Sequence, residues 1–581
     1  MSTFKYLEKE INDIVNKKGY ETDITLSLSN RPDLGQFQVN DAMKLAKMYH
    51  KNPVEIANDI KSELDNNDNF VNVNIAGAGF INISLSDKAL INFINNIKDD
   101  INNNVDKVES KTILLDYGGA NVAKALHVGH LRSANIGEAL NRLAKVLGVK
   151  TISDVHLGDF GLQAGLVVLQ MSIMYPDLPC FKEGYNGEDF ELPITEEDLK
   201  VIYPTASSRS KEDEDFLNEA RQITYQIQNN HIGYSTLWNK VSELSKKDIK
   251  KTYDRLNAKF DLWEGESDSF QYIPEVLKIL GDKGLTYISE GATVMDVKED
   301  SDDKEMPPIL LQKSDGAYLY ATTDLATIYG RLKRFNLDEI WYTTDIRQEL
   351  HFTQVFRAAY KSGIVNDNIK LGFYGFGTMN GTDGKPFKTR TGGVMPLDEL
   401  IDLIKVECRK RLNENIVEEE KREETSETIA LAALKYADLL PFRATDYIFD
   451  PAKFSDLDGK TGPYLLYSTI RIRSLLKKAK QEGIDYNNFN IINNNSDKDV
   501  ILTLLQLPNV LNRSYEAKSL NEVAEYIYKL TSTYNKFYSE NKILTCENKD
   551  LKESWLVLSN IVYNTNMMLL DIMGINVPEK M

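Results

Sequence analysis

One unit of about forty residues limits the folds open to this chain. Thr112-Ile-Leu-Leu-Asp-Tyr117 is a short apolar run closed by Gly118 and Gly119, the pattern of a strand buried on both faces. Ile136, Leu140, Leu143 and Leu147 then recur at spacings of four, three and four, one face of a helix that Gly148 can end. A second strand candidate starts at Val149. Strand, loop, helix and strand in this order imply a parallel pair with a helical crossover, hence an α/β sheet with ligands at the carboxyl ends of its strands. The loop at that edge is Asn121-Val-Ala-Lys-Ala-Leu-His-Val-Gly-His130. It delivers two histidines to a helix start, where free N–H groups and the helix dipole attract phosphate, and Gly129 between them leaves room for an adenosine. Three of the six histidines, His127, His130 and His156, fall near this one edge. The near copy His231-Ile-Gly-Tyr234 has no strand before it and is expected to be ordinary helix surface.

The rest of the 581-residue chain divides by pattern. Phe4, Leu7, Ile11 and Ile14 trace a helix face, and Ala42 to Leu64 continues helical with a break near Pro53. Val71, Val73 and Ile75 alternate with asparagines and Ile81, Ile83 and Leu85 resume after Gly77-Ala-Gly79, which predicts a hairpin. The polar stretch Asn95 to Asn104 is expected to be a linker. These segments make residues 1–106 a small α+β domain. An α/β domain over 107–416 carries a helical insertion at about 171–256, and sheet signals return at Ala317-Tyr-Leu-Tyr-Ala-Thr322 and Glu339-Ile-Trp-Tyr-Thr-Thr344. The charged run Glu418 to Glu424 is expected to be a solvated helix face, opening an all-α region over 417–581.

Composition narrows the setting. Cys180, Cys408 and Cys546 make neither a disulfide framework nor a zinc pattern. The start Met-Ser-Thr-Phe-Lys-Tyr lacks a signal-peptide core, and no apolar run approaches the roughly 20 residues that span a bilayer. A cytoplasmic protein without a membrane is the expectation. The net charge of −18 argues against indiscriminate nucleic-acid binding but leaves room for a local basic face.

Several separated motifs share one resemblance. Gly118-Gly-Ala-Asn-Val-Ala-Lys-Ala-Leu-His-Val-Gly-His-Leu-Arg-Ser133, Asp154-Val-His-Leu-Gly-Asp-Phe-Gly-Leu-Gln163, Gly265-Glu-Ser267, Leu319-Tyr-Ala-Thr-Thr-Asp324 and Asp345-Ile-Arg-Gln-Glu-Leu-His351 stand in order along the chain. Asp383-Gly-Lys-Pro-Phe-Lys-Thr-Arg-Thr-Gly-Gly393, Leu434-Lys-Tyr-Ala-Asp-Leu439 and Gly459-Lys-Thr-Gly-Pro-Tyr-Leu465 follow. Together they resemble the class I arginyl-tRNA synthetases over nearly the whole chain. The resemblance implies a Rossmann-like catalytic domain, a small N-terminal domain that contacts tRNA and a helical anticodon-binding bundle. It also implies activation of L-arginine by ATP with Mg2+ and transfer to the terminal adenosine of arginine tRNA, by a monomer.

The resemblance assigns the arginine side chain to Glu266, Tyr320 and Asp324, and its amino and carboxyl end to Asn121 and Gln348. A planar, permanently charged guanidinium calls for carboxylates in this way. His127, Gly129, His130 and Lys385 are implied to bind ATP. The usual Lys-Met-Ser-Lys loop is absent: Lys385-Pro-Phe-Lys-Thr-Arg390 stands in its place, with Lys388 or Arg390 as candidates for the phosphates. Relatives with that departure carry a lysine just before the first histidine, which here is Lys124. No dedicated metal cage is visible, and magnesium is expected to arrive with ATP. On the RNA side the basic stretch Arg471 to Lys480, with Arg471 and Arg473, and the aromatics Tyr526, Tyr528, Tyr534, Phe537 and Tyr538 suit phosphates and splayed bases. Gly35-Gln-Phe-Gln-Val-Asn40 and Gly77-Ala-Gly-Phe80 resemble the module that meets the tRNA elbow.

Three departures stand out. Ala120 and Ala125 replace prolines and Phe160 a frequent tryptophan, and the lost prolines leave the loop less pre-set. Two other classes compete: a synthetase-like paralogue that binds tRNA without catalysis, and a small-molecule adenylyltransferase, which would need no flanking RNA-type domains.

Overall fold

A computed structural model describes residues 2–581 apart from 30, 32, 315, 388–394 and 413–416. The N-terminal part runs α1 (Thr3–Lys17), β1 (Leu26–Leu28), β2 (Phe37–Val39), α2 (Ala42–Tyr49), α3 (Pro53–Leu64), β3 (Phe70–Ala76), β4 (Phe80–Leu85) and α4 (Asp87–Ile97). Its sheet is antiparallel in the order β1-β2-β4-β3. Phe4, Leu7, Ile11 and Ile14 are buried, so the periodic face of α1 is its core face. The expected alternation in β3 fails: a bulge with Asn72 at φ +52° leaves Val71 exposed while Phe70 and Val73 turn inward. An extra residue in one strand shifts the two-residue period by one.

Asn95 to Asn104 is not a linker. Asn95 lies in α4 and exchanges hydrogen bonds with the backbone of Phe489, at 2.8 and 3.0 Å. Buried Asn104 donates to the carbonyl of Leu504 at 2.8 Å. These amides satisfy backbone groups of the C-terminal bundle in a seam that excludes water, where an unpaired carbonyl would be costly.

The central sheet contains β5 (Thr112–Tyr117) and β6 (Lys150–Asp154), joined through α5 (Val128–Val146) as the sequence predicts. α6 (Leu162–Met174) leads into the insertion, which follows as α7 (Glu196–Glu212), α8 (Glu214–Gln228) and α9 (Ile232–Arg255); His231 merely caps α9. After it come α10 (Glu266–Ser269), α11 (Ile273–Asp282), an antiparallel sheet of β7 (Thr286–Ser289), β8 (Ala292–Met295) and β9 (Ile309–Gln312), α12 (Tyr320–Arg334), β10 (Glu339–Thr343), α13 (Glu349–Ser362) and β11 (Lys370–Phe373). The parallel order is β11-β10-β5-β6. The chain leaves β5 in one direction and returns on its other side, so β5 and β10 form a switch point where their carboxyl ends open a crevice.

Ala317 to Thr322 is not a strand. The strand lies upstream, as β9 in the separate antiparallel sheet, and Tyr320 opens α12. The aromatic and Thr residues that suggest a strand line the approach to a helix packed on that sheet, a case of tertiary context overriding local preference.

The chain then forms β12 (Met379–Asn380), α14 (Leu397–Arg409), α15 (Glu419–Leu439), β13 (Tyr447–Ile448), paired with β12, and α16 (Pro451–Phe454). The bundle follows as α17 (Gly462–Gln481), α18 (Asn495–Leu504), α19 (Leu507–Ala517), α20 (Asn521–Glu540) and α21 (Lys549–Ile572). The acidic run is the solvated start of α15, with Glu419 and Glu423 paired to Arg409. No helix among the described residues is long and apolar enough to cross a membrane.

Candidate active site

The loop after β5 is pinned from both sides. Val122 N–H donates to Gly158 O and Gly158 N–H to Ala120 O, both at 2.9 Å. A Cβ at Gly158 would lie 2.3 Å from Asn121 Oδ1, so only glycine lets the loops meet this closely. At the helix start, His127 Nδ1 accepts from Gly129 N–H at 3.0 Å and His130 Nδ1 accepts from His127 N–H at 3.0 Å. A side chain on Gly129 would strike the His127 ring at 2.7 Å. Because both Nδ1 atoms accept, both protons sit on Nε2 and are available to a ligand. Burial and the Lys124 charge lower the pKa of His127; burial, His127 and Lys124 bring that of His130 down to about 3. The pair is thus two neutral donors at the positive end of α5.

Lys124 places its Nζ 4.9 Å over the ring of Tyr203. Lys385 stands exposed on a turn in which its N–H donates to Asp383 at 3.1 Å. Lys388 and Arg390 lie outside the described residues. The flanks of their loop return to α5, where Val128 N–H donates to Met395 O at 3.2 Å and Leu397 N–H to Leu126 O at 2.9 Å.

At the switch point a cavity of about 390 Å3 is lined by all five residues expected to hold arginine: Asn121, Glu266, Tyr320, Asp324 and Gln348. Glu266 opens α10, which Asp159 anchors by accepting from Ser267 N–H and Oγ–H at 2.9 and 2.6 Å. Burial, with Asp324 and Asp159 nearby, raises the Glu266 pKa to about 8. Asp324 meets His351 Nε2 at 2.5 Å. Gln348 accepts from Thr344 Oγ–H at 2.9 Å, which leaves its amide N–H groups for a ligand. Tyr320 is exposed at the mouth.

Asp116, Tyr342 and His351 also line this cavity and were not singled out by sequence. His351 closes the quoted Asp345 to His351 motif, a signal that could have found it; Asp116 and Tyr342 sit in strands β5 and β10 that read only as apolar core. Beneath the cavity fully buried Arg331 donates to Asp116 and Asp154 at 2.7 and 2.5 Å and to Tyr342 Oη at 3.2 Å. Asp116, Asp154 and His156 have ligand atoms within 4.8 Å of one another, but the guanidinium already occupies both carboxylates. Removing one member of a buried ion pair leaves the others uncompensated. Arg331→Met is therefore expected to lower stability by about 3–5 kcal/mol, measured by urea unfolding; a loss under about 1 kcal/mol would show that the acids simply protonate.

The RNA-side residues separate. Tyr534 and Phe537 are 1% and 0% exposed, and Tyr534 Oη donates to Ser559 at 3.0 Å, so neither can stack on a base. They continue the three-and-four spacing of Ile527 and Leu530 on the inner face of α20. Arg473 is tied to the carbonyls of Pro578 and Glu579. The Arg471 guanidinium lies 4.1 Å over the Tyr538 ring, and Tyr467, one turn before it on α17, is exposed.

Comparison with known proteins supplies independent support. Residues 93–451 match the family described as tRNA synthetases class I (R), catalytic domain; residues 465–581 match the DALR anticodon binding domain, and residues 4–85 the arginyl tRNA synthetase N terminal domain. The chain is 42% identical to an arginine–tRNA ligase of Alkaliphilus oremlandii and to one of Agathobacter rectalis, in each case over 99% of both chains. Its fold resembles the arginyl-tRNA synthetase of Plasmodium falciparum with a TM-score of 0.81 at 26% identity, over 100% of this chain and 99% of that one. The Thermus thermophilus arginyl-tRNA synthetase superimposes with a TM-score of 0.76 at 20% identity, each chain fully covered. Three family models matched in order along the chain, with 42% identity to two arginine–tRNA ligases over nearly their full length, place this chain in the class I arginyl-tRNA synthetase family.

Proposed function

We propose that the chain is an ATP-dependent arginine–tRNA ligase. The convergence of Glu266, Asp324, Asn121 and Gln348 on one cavity, beside the histidine-capped start of α5, carries this reading. Glu266 and Asp324 receive the guanidinium, Tyr320 covers it, and Asn121 and Gln348 orient the amino and carboxyl end. The arginine carboxylate attacks the α-phosphorus of ATP; the new P–O bond forms as the bond to the β-phosphate oxygen breaks, and pyrophosphate leaves. The 2′-hydroxyl of the terminal adenosine then attacks the acyl carbon of the adenylate, gives up its proton, and AMP departs. His127 and His130 donate Nε2–H to ATP, and Lys124 faces the charge that grows on the α-phosphate. Mg2+ would accompany ATP as part of the substrate and would offset the phosphate charge there. Residues 1–106 and 417–581 receive the tRNA, with Arg471, Tyr467 and Tyr538 on the bundle surface as contacts. The reaction suits a monomer working in the cytoplasm.

ATP–pyrophosphate exchange with arginine, with and without arginine tRNA, tests the assignment. Arginine-dependent exchange in either condition is the expected result, and none in both would overturn it. That outcome would favour a tRNA-binding paralogue, for which the complete set of substrate groups offers no reason.

The cavity also implies a pH dependence. Free Glu266 is protonated below about pH 8, whereas the bound guanidinium favours its carboxylate, so binding releases a proton in that range. Arginine affinity should rise from pH 6 to 8 by up to about tenfold per unit and level off above. Calorimetric titration reads this directly. Glu266→Gln should flatten the slope, and a wild-type affinity independent of pH would show that Glu266 is ionised in the empty site.

A further inference from the structure

The loop that carries Lys124 has no proline between Gly118 and His127 to set its backbone, yet one residue adopts a conformation that L-residues rarely take. Ala123 has φ +61°, where its Cβ crowds the backbone. Its N–H donates to Ser245 Oγ at 2.8 Å, and Ser245, on α9, is only 4% exposed. The next side chain is Lys124, whose Nζ rests over the half-buried ring of Tyr203 on α7. Two consecutive loop residues are thus held by two helices of the insertion, although no residue of α7 or α9 lines the arginine cavity.

The choice of partner suits a lysine meant for a triphosphate. Among the described residues Lys124 makes no ion pair, and a π-face attracts an ammonium without neutralising it. A carboxylate would compete with the phosphates. Ser245 gives the N–H of the left-handed residue its partner in a buried place, which keeps the turn that aims the following side chain.

We propose that Ser245 and Tyr203 are positioning residues for Lys124, through which the helical insertion sets the cation that meets the α-phosphate. This rests on the role given to Lys124 above. The test measures ATP–pyrophosphate exchange for Tyr203→Leu, Tyr203→Phe and Ser245→Ala, each alone and combined with Lys124→Ala. With Lys124 present, Tyr203→Leu and Ser245→Ala should each lower kcat roughly 10-fold with arginine KM changed less than about twofold, because a misplaced group loses transition-state contact. Tyr203→Phe keeps the ring and should restore nearly the full rate. On the Lys124→Ala background the same substitutions should cost less than about twofold.

An equal loss on both backgrounds would overturn the proposal while leaving the Lys124 reading intact, since the insertion would then act on the fold or on another group. An unchanged kcat in the single variants would overturn it as well. Full activity in Lys124→Ala itself would instead remove the reading on which the proposal stands. Thermal unfolding of each variant separates a lost fold from a lost alignment, and Tyr203→Leu retains apolar bulk so that packing is disturbed little.

Discussion

Lys124→Ala is expected to lower the kcat of arginine activation by about 100-fold or more, the scale for removing one donor aimed at transition-state charge. Negative charge builds on the α-phosphate as pyrophosphate leaves, and a fixed cation there acts more strongly in the transition state than in the ground state. The charge of Lys124 reaches His127 and His130, since it helps to lower the pKa of both. Lys385 points from an exposed turn and has no comparable tie to the helix start. Arginine binding should be almost unchanged, because Lys124 does not line the arginine cavity. The melting temperature should also hold, as its contact is a cation–π interaction at a partly exposed site. Single-turnover exchange kinetics give the chemical step separately from product release, and a rate within a few-fold of wild type would assign the role to another cation.

Asp324→Asn should have a still larger effect, on affinity. The side chains are nearly isosteric, so the cavity keeps its shape while one of two carboxylates facing the guanidinium loses its charge. Truncating one partner of a buried, hydrogen-bonded charge pair costs about 2–5 kcal/mol, which corresponds to an arginine KM raised by roughly 30- to 4,000-fold. The substitution also changes the contact with His351, which meets Asp324 at 2.5 Å and loses its anionic partner. Glu266 then remains as the only carboxylate of the pair; burial and the Asp324 charge raise its pKa, so without that charge the pKa comes down. Glu266 is then ionised at lower pH than in the wild type, whose own affinity still climbs up to about pH 8, so the defect relative to wild type should be smaller near pH 7 and larger at pH 8.5. ATP KM should stay within about twofold, because the histidine pair is untouched. Initial rates over an arginine series at the two pH values measure both claims, and an arginine KM near wild type would mean that the guanidinium lies elsewhere.

These predictions draw unequally on sequence and structure. The unit from Thr112 to Val149 is local: a buried strand, a glycine turn and a capped helix follow from side-chain periodicity and backbone freedom, and β5, α5 and β6 occur in that order. His127 and His130 were legible for the same reason, since a helix start needs no distant partner to present its donors. The five residues that motif resemblance assigns to arginine come from loops and helices spread between Asn121 and Gln348, and one cavity collects them.

Packing decided the rest. Tyr534 and Phe537 look like stacking surfaces in a basic helical region, but the bundle turns them inward. The asparagines between Asn95 and Asn104 look like a linker until Phe489 and Leu504 arrive from nearly four hundred residues away. The same holds for Ala317 to Thr322, where the antiparallel sheet makes a strand-like run the entry to a helix, and for Asp116 and Arg331, which pair only when β5 and α12 meet. The sequence alone established the loop with its paired histidines, the α/β order of elements and the residues that resemble an arginine site, because each is written in local periodicity or in a contiguous motif. Tertiary structure alone decided which aromatics are core, which acids are already neutralised and which insertion helices hold Lys124. Burial and charge pairing depend on residues distant in the chain, and their energies exist only once those residues are in contact.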